Sequence, residues 1–181
     1  MLDLILEDTR ERMDKSIDAL KNDLSTVRTG RANPTMLNSV QVNYWGSMTP
    51  LNQVAGISVS EGRQLVVKPY DKNSLKDIER AIFEANLGLT PQNDGTLIRI
   101  NVPALTEETR KTYVKQAKKY AEDTKVAMRN IRRSANSELY KAGLTEDEVK
   151  IGKEDIQDLT NDYIKKIDAL LKDKENDLMT V

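Results

Sequence analysis

The stretch that decides the fold is Thr106–Ala142, TEETRKTYVKQAKKYAEDTKVAMRNIRRSANSELYKA, in which two rows of residues repeat at helical spacing. The first row is apolar or small and contains Tyr113, Ala117, Tyr120, Thr124, Ala127, Ile131 and Ala135. The second row is charged and contains Lys111, Lys115, Lys118, Glu122, Lys125, Arg129 and Arg132. Since a helix has 3.6 residues per turn, rows two residues apart lie about 200° apart around it. The stretch therefore predicts one long helix that packs on one side and presents cations on the other.

The charge of the chain is unevenly distributed. The whole sequence of 181 residues has a net charge of −1, which is not typical of a generally basic nucleic-acid binder. Residues 107–142, however, contain ten lysines and arginines against five aspartates and glutamates. Residues 143–181 contain six against eleven. The excess of positive charge is concentrated in one helix, which favours a polyanionic partner for that helix.

The composition argues against catalysis. There is no cysteine and no histidine, so disulfides, thiolate metal sites and the commonest general base are all excluded. The acid pair Glu107-Glu108 stands at a predicted helix start, where it favours the helix dipole. No glycine-rich loop has the strand–loop–helix context of a phosphate cradle. We therefore predict a protein that is not an enzyme, with no catalytic residues, no cofactor and no metal site.

The sequence also predicts where the protein works. The N-terminus, Met1–Asp8, has a short apolar run flanked by acids and lacks the basic flank and cleavage site of a signal peptide. No stretch approaches the roughly 20 apolar residues that a membrane span needs. We predict a cytoplasmic protein with no membrane partner.

Three long helices are predicted. Residues 2–28 follow steps of three and four, with Gly30 expected to end the helix and Arg28 in its last turn. The second helix runs to about Ala142 and ends at Gly143. Thr145–Glu148 resembles a capping box that either opens the third helix directly or opens a short turn that Gly152 interrupts. Each helix has one apolar stripe, so the three are expected to form a bundle.

Residues 31–104 have a different pattern, with most of the glycines and much period-two alternation. Strands are predicted around Val40–Tyr44, Leu65–Lys68 and Thr96–Val102, with a tight turn at Asp94-Gly95. A helix is expected to open with a capping box at Ser74–Asp77 and to end at Gly88. Its inner face would contain Leu75, Ile78, Ile82 and Phe83. This segment is predicted to be a small α/β module.

The α/β module is inserted into the bundle. We predict a bundle domain of residues 1–30 and 105–181, and an inserted domain of residues 31–104. Two strands of chain cross between them, near residues 29–34 and 102–106, and both contain a proline. A two-stranded connection permits bending, so the crossings are either a hinge or two tight corners.

The densest group of cations is Arg129, Arg132 and Arg133, at positions i, i+3 and i+4 of the second helix. Arginine grips phosphate with two parallel hydrogen bonds, which a lysine cannot do. The alternative is a solvated face with intrahelical ion pairs, but acids are few along this row. A polyanion site is the favoured interpretation. Arg110, at the start of the same helix, would bind an external anion or pair with Glu107.

Two further features remain open. The Arg28–Arg31 segment could bind a polyanion, although Arg28 at a helix C-terminus also favours the dipole without any ligand. The aromatic pair Tyr44 and Trp45 stands beside a predicted turn at Gly46. The pair could stack on bases, but such pairs more often cover the core of a small sheet.

Several stretches together resemble the ribosome recycling factor family of bacteria and organelles. They are Arg28–Pro34, Leu87–Pro91, Ile98-Arg99, Pro103–Lys111, Arg129–Asn136 and the closing Asp173–Glu175. The similarity covers essentially the whole chain in order. The family commonly has arginine where Thr109 stands, so one cation is lost here while Arg110 remains.

The resemblance implies an α+β protein with an L-shaped arrangement of a three-helix bundle and a β/α/β domain on a flexible hinge. It implies a monomeric translation factor that binds the post-termination ribosome against large-subunit ribosomal RNA at the intersubunit face. With elongation factor G and GTP, such a factor promotes dissociation into subunits. The implied RNA-binding residues are Arg31, Arg110, Lys118, Lys125, Arg129, Arg132 and Arg133. The implied hinge residues are Thr29, Gly30 and Pro103, and the α/β domain is expected to meet elongation factor G.

Two other functions are compatible with the basic helix alone. A coiled-coil adaptor or chaperone-like protein could bind acidic protein surfaces with the same face. A small helical enzyme could bind an anionic metabolite, but such enzymes place their arginines inside the bundle, whereas these are predicted to face outward.

Overall fold

The computed structural model describes residues 1–179 and divides into two compact units. Within the described residues, the helical unit contains Met1–Arg28 and residues 106–179, and the α/β unit contains Thr29–Leu105. The α+β class predicted from the sequence, with long helices and a small sheet domain, is confirmed.

The elements in chain order are α1 (Leu2–Thr26), β1 (Gln41–Tyr44), β2 (Ser47–Pro50), the single-turn α2 (Leu51–Val54), β3 (Ala55–Ser60), β4 (Gln64–Pro69), α3 (Leu75–Glu84), β5 (Pro91–Asn93), β6 (Ile98–Asn101), α4 (Glu107–Lys141) and α5 (Glu146–Met179). Short 3-10 turns lie at Pro34–Leu37 and Lys72–Ser74.

The core of the helical unit follows the predicted stripes. One cluster contains Met13, Ile17, Leu20 and Leu24 of α1, Ala117, Ala121 and Met128 of α4, and Tyr163 and Ile167 of α5. A second cluster contains Ile5, Ala135, Leu139 and Ile156. Small alanines on α4 face larger side chains on its neighbours, which lets three long helices pack at native density.

The end of α1 differs from the prediction. The helix ends at Thr26, and Val27 is extended at φ −78° and ψ 115°. Val27 is nearly fully buried, and its N–H donates to the Leu24 carbonyl over 3.1 Å. Gly30 therefore does not end the helix, and Arg28 lies outside its last turn. The buried, β-branched Val27 leads the chain out of the helix instead.

The starts of α4 and α5 are confirmed. Thr106 Oγ1 accepts the Thr109 N–H over 3.1 Å at the start of α4, and Gly143, at φ +70°, follows its end. Thr145 and Glu148 form the predicted capping box. Thr145 Oγ1 accepts the Glu148 N–H over 3.2 Å, and Glu148 Oε1 accepts the Thr145 N–H over 3.3 Å. Of the two alternatives for residues 143–152, the direct start of α5 is correct.

Gly152 lies inside α5, where the three helices approach closely. A Cβ atom added there would lie 2.8 Å from Leu139 Cδ2 and 2.9 Å from Leu2 Cδ1. Glycine inside a helix is about 1 kcal/mol less favourable than alanine, so close packing is the reason to have it at this position.

We expect Gly152→Ala to lower the free energy of unfolding by about 1–2 kcal/mol, because overpacking outweighs the gain in helix propensity. Urea unfolding checks this. In a Leu139→Ala background, which removes two of the three closest methyl groups and leaves that of Leu2, the same change should be less destabilising. A stabilising Gly152→Ala in the otherwise unchanged protein would contradict the packing argument.

A buried hydrogen bond joins α5 to α1. The Tyr163 hydroxyl donates to Asp14 Oδ1, and Tyr163 is almost fully buried. Burial, together with this hydrogen bond, raises the pKa of Tyr163 from its ordinary value of 10.0 to about 12. The folded protein therefore favours the protonated phenol.

We expect Tyr163→Phe to lower the free energy of unfolding by about 1 kcal/mol at neutral pH, the typical value of one hydrogen bond. Because the folded pKa is raised, this stabilisation is complete below pH 10 and is lost as the pH rises toward 12. Urea unfolding of both proteins across this window should show their difference shrinking. A difference that stays constant would exclude titration of Tyr163 as the cause.

The α/β unit contains two antiparallel sheets. One is the β1–β2 hairpin, and the other has the order β3-β4-β6-β5. Alternate residues of the larger sheet face the core, as expected from the period-two alternation in the sequence, and these include Leu65, Val67, Ile98 and Ile100. The Asp94 side chain accepts the N–H groups of Thr96 and Leu97 in the turn before β6, which lowers its pKa to about 2. This confirms the turn predicted at Asp94-Gly95.

Helix α3 corrects three predictions. Leu75, Ile78 and Ile82 are buried as expected, but Phe83 is 72% exposed. Ser74 Oγ donates to the Asp71 carbonyl over 2.6 Å, so it caps no helical N–H and there is no capping box. The helix ends at Glu84, before Gly88, because Asn86 already has a left-handed backbone at φ 51°.

Candidate nucleic-acid interface on helix α4

The exposed side of α4 presents a row of cations along a helix about 50 Å long. The exposed members are Lys111, Lys115, Lys118, Arg129 and Arg133, here called the cationic face. The buried residues of α4 lie on another side of the helix and include Ala117, Ala121, Met128, Ala135 and Leu139. The packing of the helix therefore directs the cationic face to solvent.

Few carboxylates neutralise this face. Lys111 pairs with Glu107 at 3.6 Å, and Arg129 Nη1 lies 3.6 Å from Glu122 Oε1. Both pairs are exposed and within the helix, and such pairs contribute little and are easily displaced. Among the described residues, Lys115, Lys118 and Arg133 have no ion pair. The face can therefore bind an anion without first breaking a strong internal bridge.

Two predicted site residues lie at the edge of α4 beside α5. Arg132 is half-buried, and its Nη1 donates to Gln157 Oε1 over 3.3 Å. Lys125 Nζ lies 2.7 Å from Asp168 Oδ1, and its side chain is only 22% exposed. The three arginines predicted to form one group therefore do not share one surface. Arg129 and Arg133 lie on the cationic face, whereas Arg132 is hydrogen-bonded to α5.

Arg110 occupies a different place. It lies at the start of α4 and is half-buried, and its Nε is buried with no hydrogen-bond partner. It lines a groove of about 600 Å³. The other lining residues are Glu107, Lys111, Val114, Lys115, Lys118 and Met179. Four cations against one carboxylate make this groove a second position for an anionic group on the same helix. No ion pair joins Arg110 to Glu107 within the described residues.

The predicted hinge residues lie in two segments that run side by side. The Ala32 N–H donates to the Gly62 carbonyl over 2.8 Å, and the Val102 N–H donates to the Arg63 carbonyl over 2.8 Å. Both segments are thus held by the same turn between β3 and β4. Arg31 is exposed, and its N–H donates to Thr29 Oγ1 over 3.4 Å.

Gly30 contacts the other crossing. A Cβ atom added at Gly30 would lie 3.7 Å from the Leu105 N and 3.8 Å from the Ala104 Cα. Pro103, which precedes Ala104, is exposed. Gly30 of the first crossing therefore lies next to Ala104 and Leu105 of the second crossing.

The aromatic pair is divided. Tyr44 packs against the core of the α/β unit, while Trp45 is 81% exposed at φ 53°. Their rings meet edge to face, with centroids 6.2 Å apart. Tyr44 therefore covers the core, as the commoner interpretation predicts, and Trp45 does not.

Residues 1–179 contain no group of three or more histidine, cysteine, aspartate or glutamate residues that could hold a metal ion. This part of the chain also contains no helix with the length and apolar character needed to cross a membrane. The cationic face and its neighbours are thus the principal candidate site, and its chemistry is suited to binding phosphates.

Comparison with known proteins gives a consistent result. The family model described as Ribosome recycling factor matches residues 20–179. The chain is 54% identical to the ribosome-recycling factor of Bacillus licheniformis, with 98% of each chain covered. It is 55% identical to that of Xylella fastidiosa over the whole of both chains. The chain belongs to the ribosome recycling factor family. The family resemblance noted in the sequence is confirmed, and the chain is a translation factor.

Solved structures of ribosome recycling factors have the same fold. A solution structure of a ribosome recycling factor matches with a TM-score of 0.81 and 37% identity, covering 99% of this chain and 98% of that one. A second match has a TM-score of 0.66 and 43% identity, covering 99% and 100%. It belongs to models of the T. thermophilus ribosome recycling factor and the E. coli elongation factor G bound to the E. coli post-termination complex.

The sequence did not reveal two residues of the site. Gln157 and Asp168 of α5 contact Arg132 and Lys125. Each is one polar residue among many on a charged helix, so the sequence does not distinguish it from its neighbours. These two residues are identified only by the packing of α5 beside α4.

Proposed function

We propose that the protein binds the post-termination ribosome and, with elongation factor G and GTP, promotes its dissociation into subunits. Three findings support this function: membership of the ribosome recycling factor family, the relative described with elongation factor G on a post-termination complex, and the cationic face of α4.

The observation that carries the proposal is the exposed and largely unneutralised cationic face. Lys115, Lys118 and Arg133 have no ion pair within residues 1–179, and the loose pair of Arg129 is readily displaced. A row of such cations binds most tightly to a partner whose negative charges are also regularly spaced. Binding is favoured because each phosphate contact releases a condensed counterion. Ribosomal RNA of the large subunit, at the intersubunit face, is that partner.

Each residue then has a distinct role. Arg129 and Arg133 grip phosphates with bidentate hydrogen bonds, and Lys118 adds a point charge further along the helix. Arg132 contributes from the α5 edge, where Lys125 is a weaker contact because it is paired with Asp168. Arg110 binds a phosphate at the groove at the start of α4, where its Nε lacks a partner. Arg31 contributes from the first crossing, where it is exposed.

The α/β unit meets elongation factor G, and bending at Thr29, Gly30 and Pro103 allows that unit to move while the bundle stays bound. No covalent bond is made or broken by the protein itself. It acts as a cytoplasmic monomer that binds RNA through the bundle and transmits force exerted by elongation factor G.

The experiment is a dissociation assay. Ribosomes carrying messenger RNA and deacylated transfer RNA are incubated with elongation factor G and GTP, with and without this protein, and subunits are separated on sucrose gradients. Free subunits should appear only when the protein, elongation factor G and GTP are all present. Equal dissociation in its absence would refute the proposed function.

A further inference from the structure

We infer that helix α5 sets how the cations of α4 bind RNA: Gln157 positions Arg132 without neutralising it, and Asp168 neutralises Lys125. The inference rests on the proposed function, because the bound polyanion is the RNA named there. It concerns two α5 residues that belong to neither the cationic face nor its predicted RNA contacts.

Two hydrogen bonds in series connect Arg132 to two side chains of α5. Arg132 Nη1 donates to Gln157 Oε1 over 3.3 Å, and Gln157 Nε2 donates to Asn161 Oδ1 over 3.0 Å. Gln157 and Asn161 are four residues apart on α5, so they are neighbours on one helix face. The Asn161 oxygen requires the amide nitrogen of Gln157 on its side. The Gln157 oxygen is thereby turned toward Arg132.

A neutral partner has a specific consequence. A guanidinium has five N–H donors, and Gln157 takes one of those on Arg132. The side chain is thus held in place, while its full charge and its remaining donors are left for a phosphate. A carboxylate at the same position would hold Arg132 equally well but would cancel the charge.

The geometry at Lys125 is the opposite case. Lys125 Nζ lies 2.7 Å from Asp168 Oδ1, the shortest ion pair among the described residues. The Lys125 side chain is mostly buried, and Asp168 is about half exposed. A lysine has no delocalised fork to share between two anions, so this contact removes most of its value for RNA. Asp168 therefore makes Lys125 less available to RNA, although the family resemblance implies that Lys125 binds RNA.

The first arm of the test is Gln157→Glu. Ribosome affinity is measured by fluorescence with labelled protein across a potassium chloride series. Affinity should fall about fivefold, which corresponds to an exposed ion pair of about 1 kcal/mol formed with Arg132. The matched control is Asn161→Asp, which adds the same charge one helical turn along α5 and keeps an acceptor for Gln157. The control should change affinity less than twofold.

The second arm is Asp168→Asn. Freeing Lys125 should raise affinity about threefold and steepen the dependence of log affinity on log salt by roughly 0.7–0.9, the value of one additional phosphate contact. The control is Asp162→Asn, since Asp162 is exposed on the same helix and contacts no α4 cation in the described chain. That control should leave the slope unchanged.

A third arm separates positioning from a structural role. In an Arg132→Ala background, Gln157→Glu should have no further effect, and thermal unfolding of all variants should match their parents. Loss of affinity in that background, or equal behaviour of either variant and its control, overturns the inference. If the unmodified protein itself bound ribosomes without salt dependence, the proposed function would fall instead. The two failures are therefore distinguishable.

Discussion

A protein carrying Arg129→Glu and Arg133→Glu is expected to bind ribosomes at least about two orders of magnitude more weakly. Each reversal removes a hydrogen bond between charged groups, worth about 1.5–3 kcal/mol, and adds repulsion toward phosphate. Both side chains are exposed, and neither contributes to the core clusters of the bundle. The fold should therefore be kept. Binding to ribosomes at fixed salt, with circular dichroism as a check of folding, measures the effect.

The matched control reverses two lysines of α5. Lys165→Glu with Lys172→Glu makes the same change in net charge, and both lysines are exposed and form no ion pair in the described chain. This control should bind within about threefold of the unmodified protein, since unspecific long-range charge effects are screened beyond a Debye length of about 8 Å. Equal losses in both double variants would mean that net charge, rather than the cationic face, governs binding.

Joining the two crossings by a disulfide is expected to slow subunit dissociation strongly while ribosome binding is kept. Gly30→Cys with Ala104→Cys is suitable, because a Cβ at position 30 would lie 3.8 Å from the Ala104 Cα and the backbone there is not left-handed. Such a separation is compatible with disulfide geometry. Both residues belong to the α/β unit, so the disulfide prevents the two crossings from moving relative to one another. If that movement is needed to transmit force from elongation factor G, the oxidised protein should dissociate ribosomes at least about tenfold more slowly, as expected when a required conformational step is blocked.

The reduced form of the same variant is the control. The natural sequence contains no cysteine, so only the engineered pair can form a disulfide. Adding dithiothreitol should restore dissociation without changing binding. Full dissociation by the oxidised protein would show that relative movement of the two crossings is not part of the mechanism, and loss of binding would show that the disulfide disturbs the ribosome-binding surface.

The elements with regular periodicity could be predicted from the sequence. Apolar residues three and four apart gave the buried stripes of α1, α4 and α5, because a stripe of that width has to be covered. The capping box of Thr145 and Glu148 was equally readable, since its two hydrogen bonds are local to four residues. Alternation gave the buried side of β6 through Ile98 and Ile100 for the same reason.

Local signals failed where tertiary contacts outweigh them. Ser74 has the spacing of a helix cap, but its hydroxyl bonds to Asp71 instead. Val27 rather than Gly30 follows the end of α1, and its side chain is buried on an extended backbone. Gly152 resembled a helix breaker, but close packing against Leu139 is its reason.

The candidate site was predictable as a set of cations but not as an arrangement. Periodicity gives the angle between residues on one helix, whereas it does not say which neighbouring helix flanks each row. The positions of Arg132 and Lys125 beside Gln157 and Asp168 depend on the packing of α5 against α4. Arg110 likewise lies at a groove whose far side contains a residue near the end of α5.

The most direct measurement of the central claim is the affinity of the unmodified protein for ribosomes across a potassium chloride series. If the exposed cations of α4 bind RNA phosphates, log affinity should fall linearly with log salt, with a slope of about −3 to −4 for four or five contacts. A slope near zero would show that the face contributes no phosphate contacts and would contradict the account.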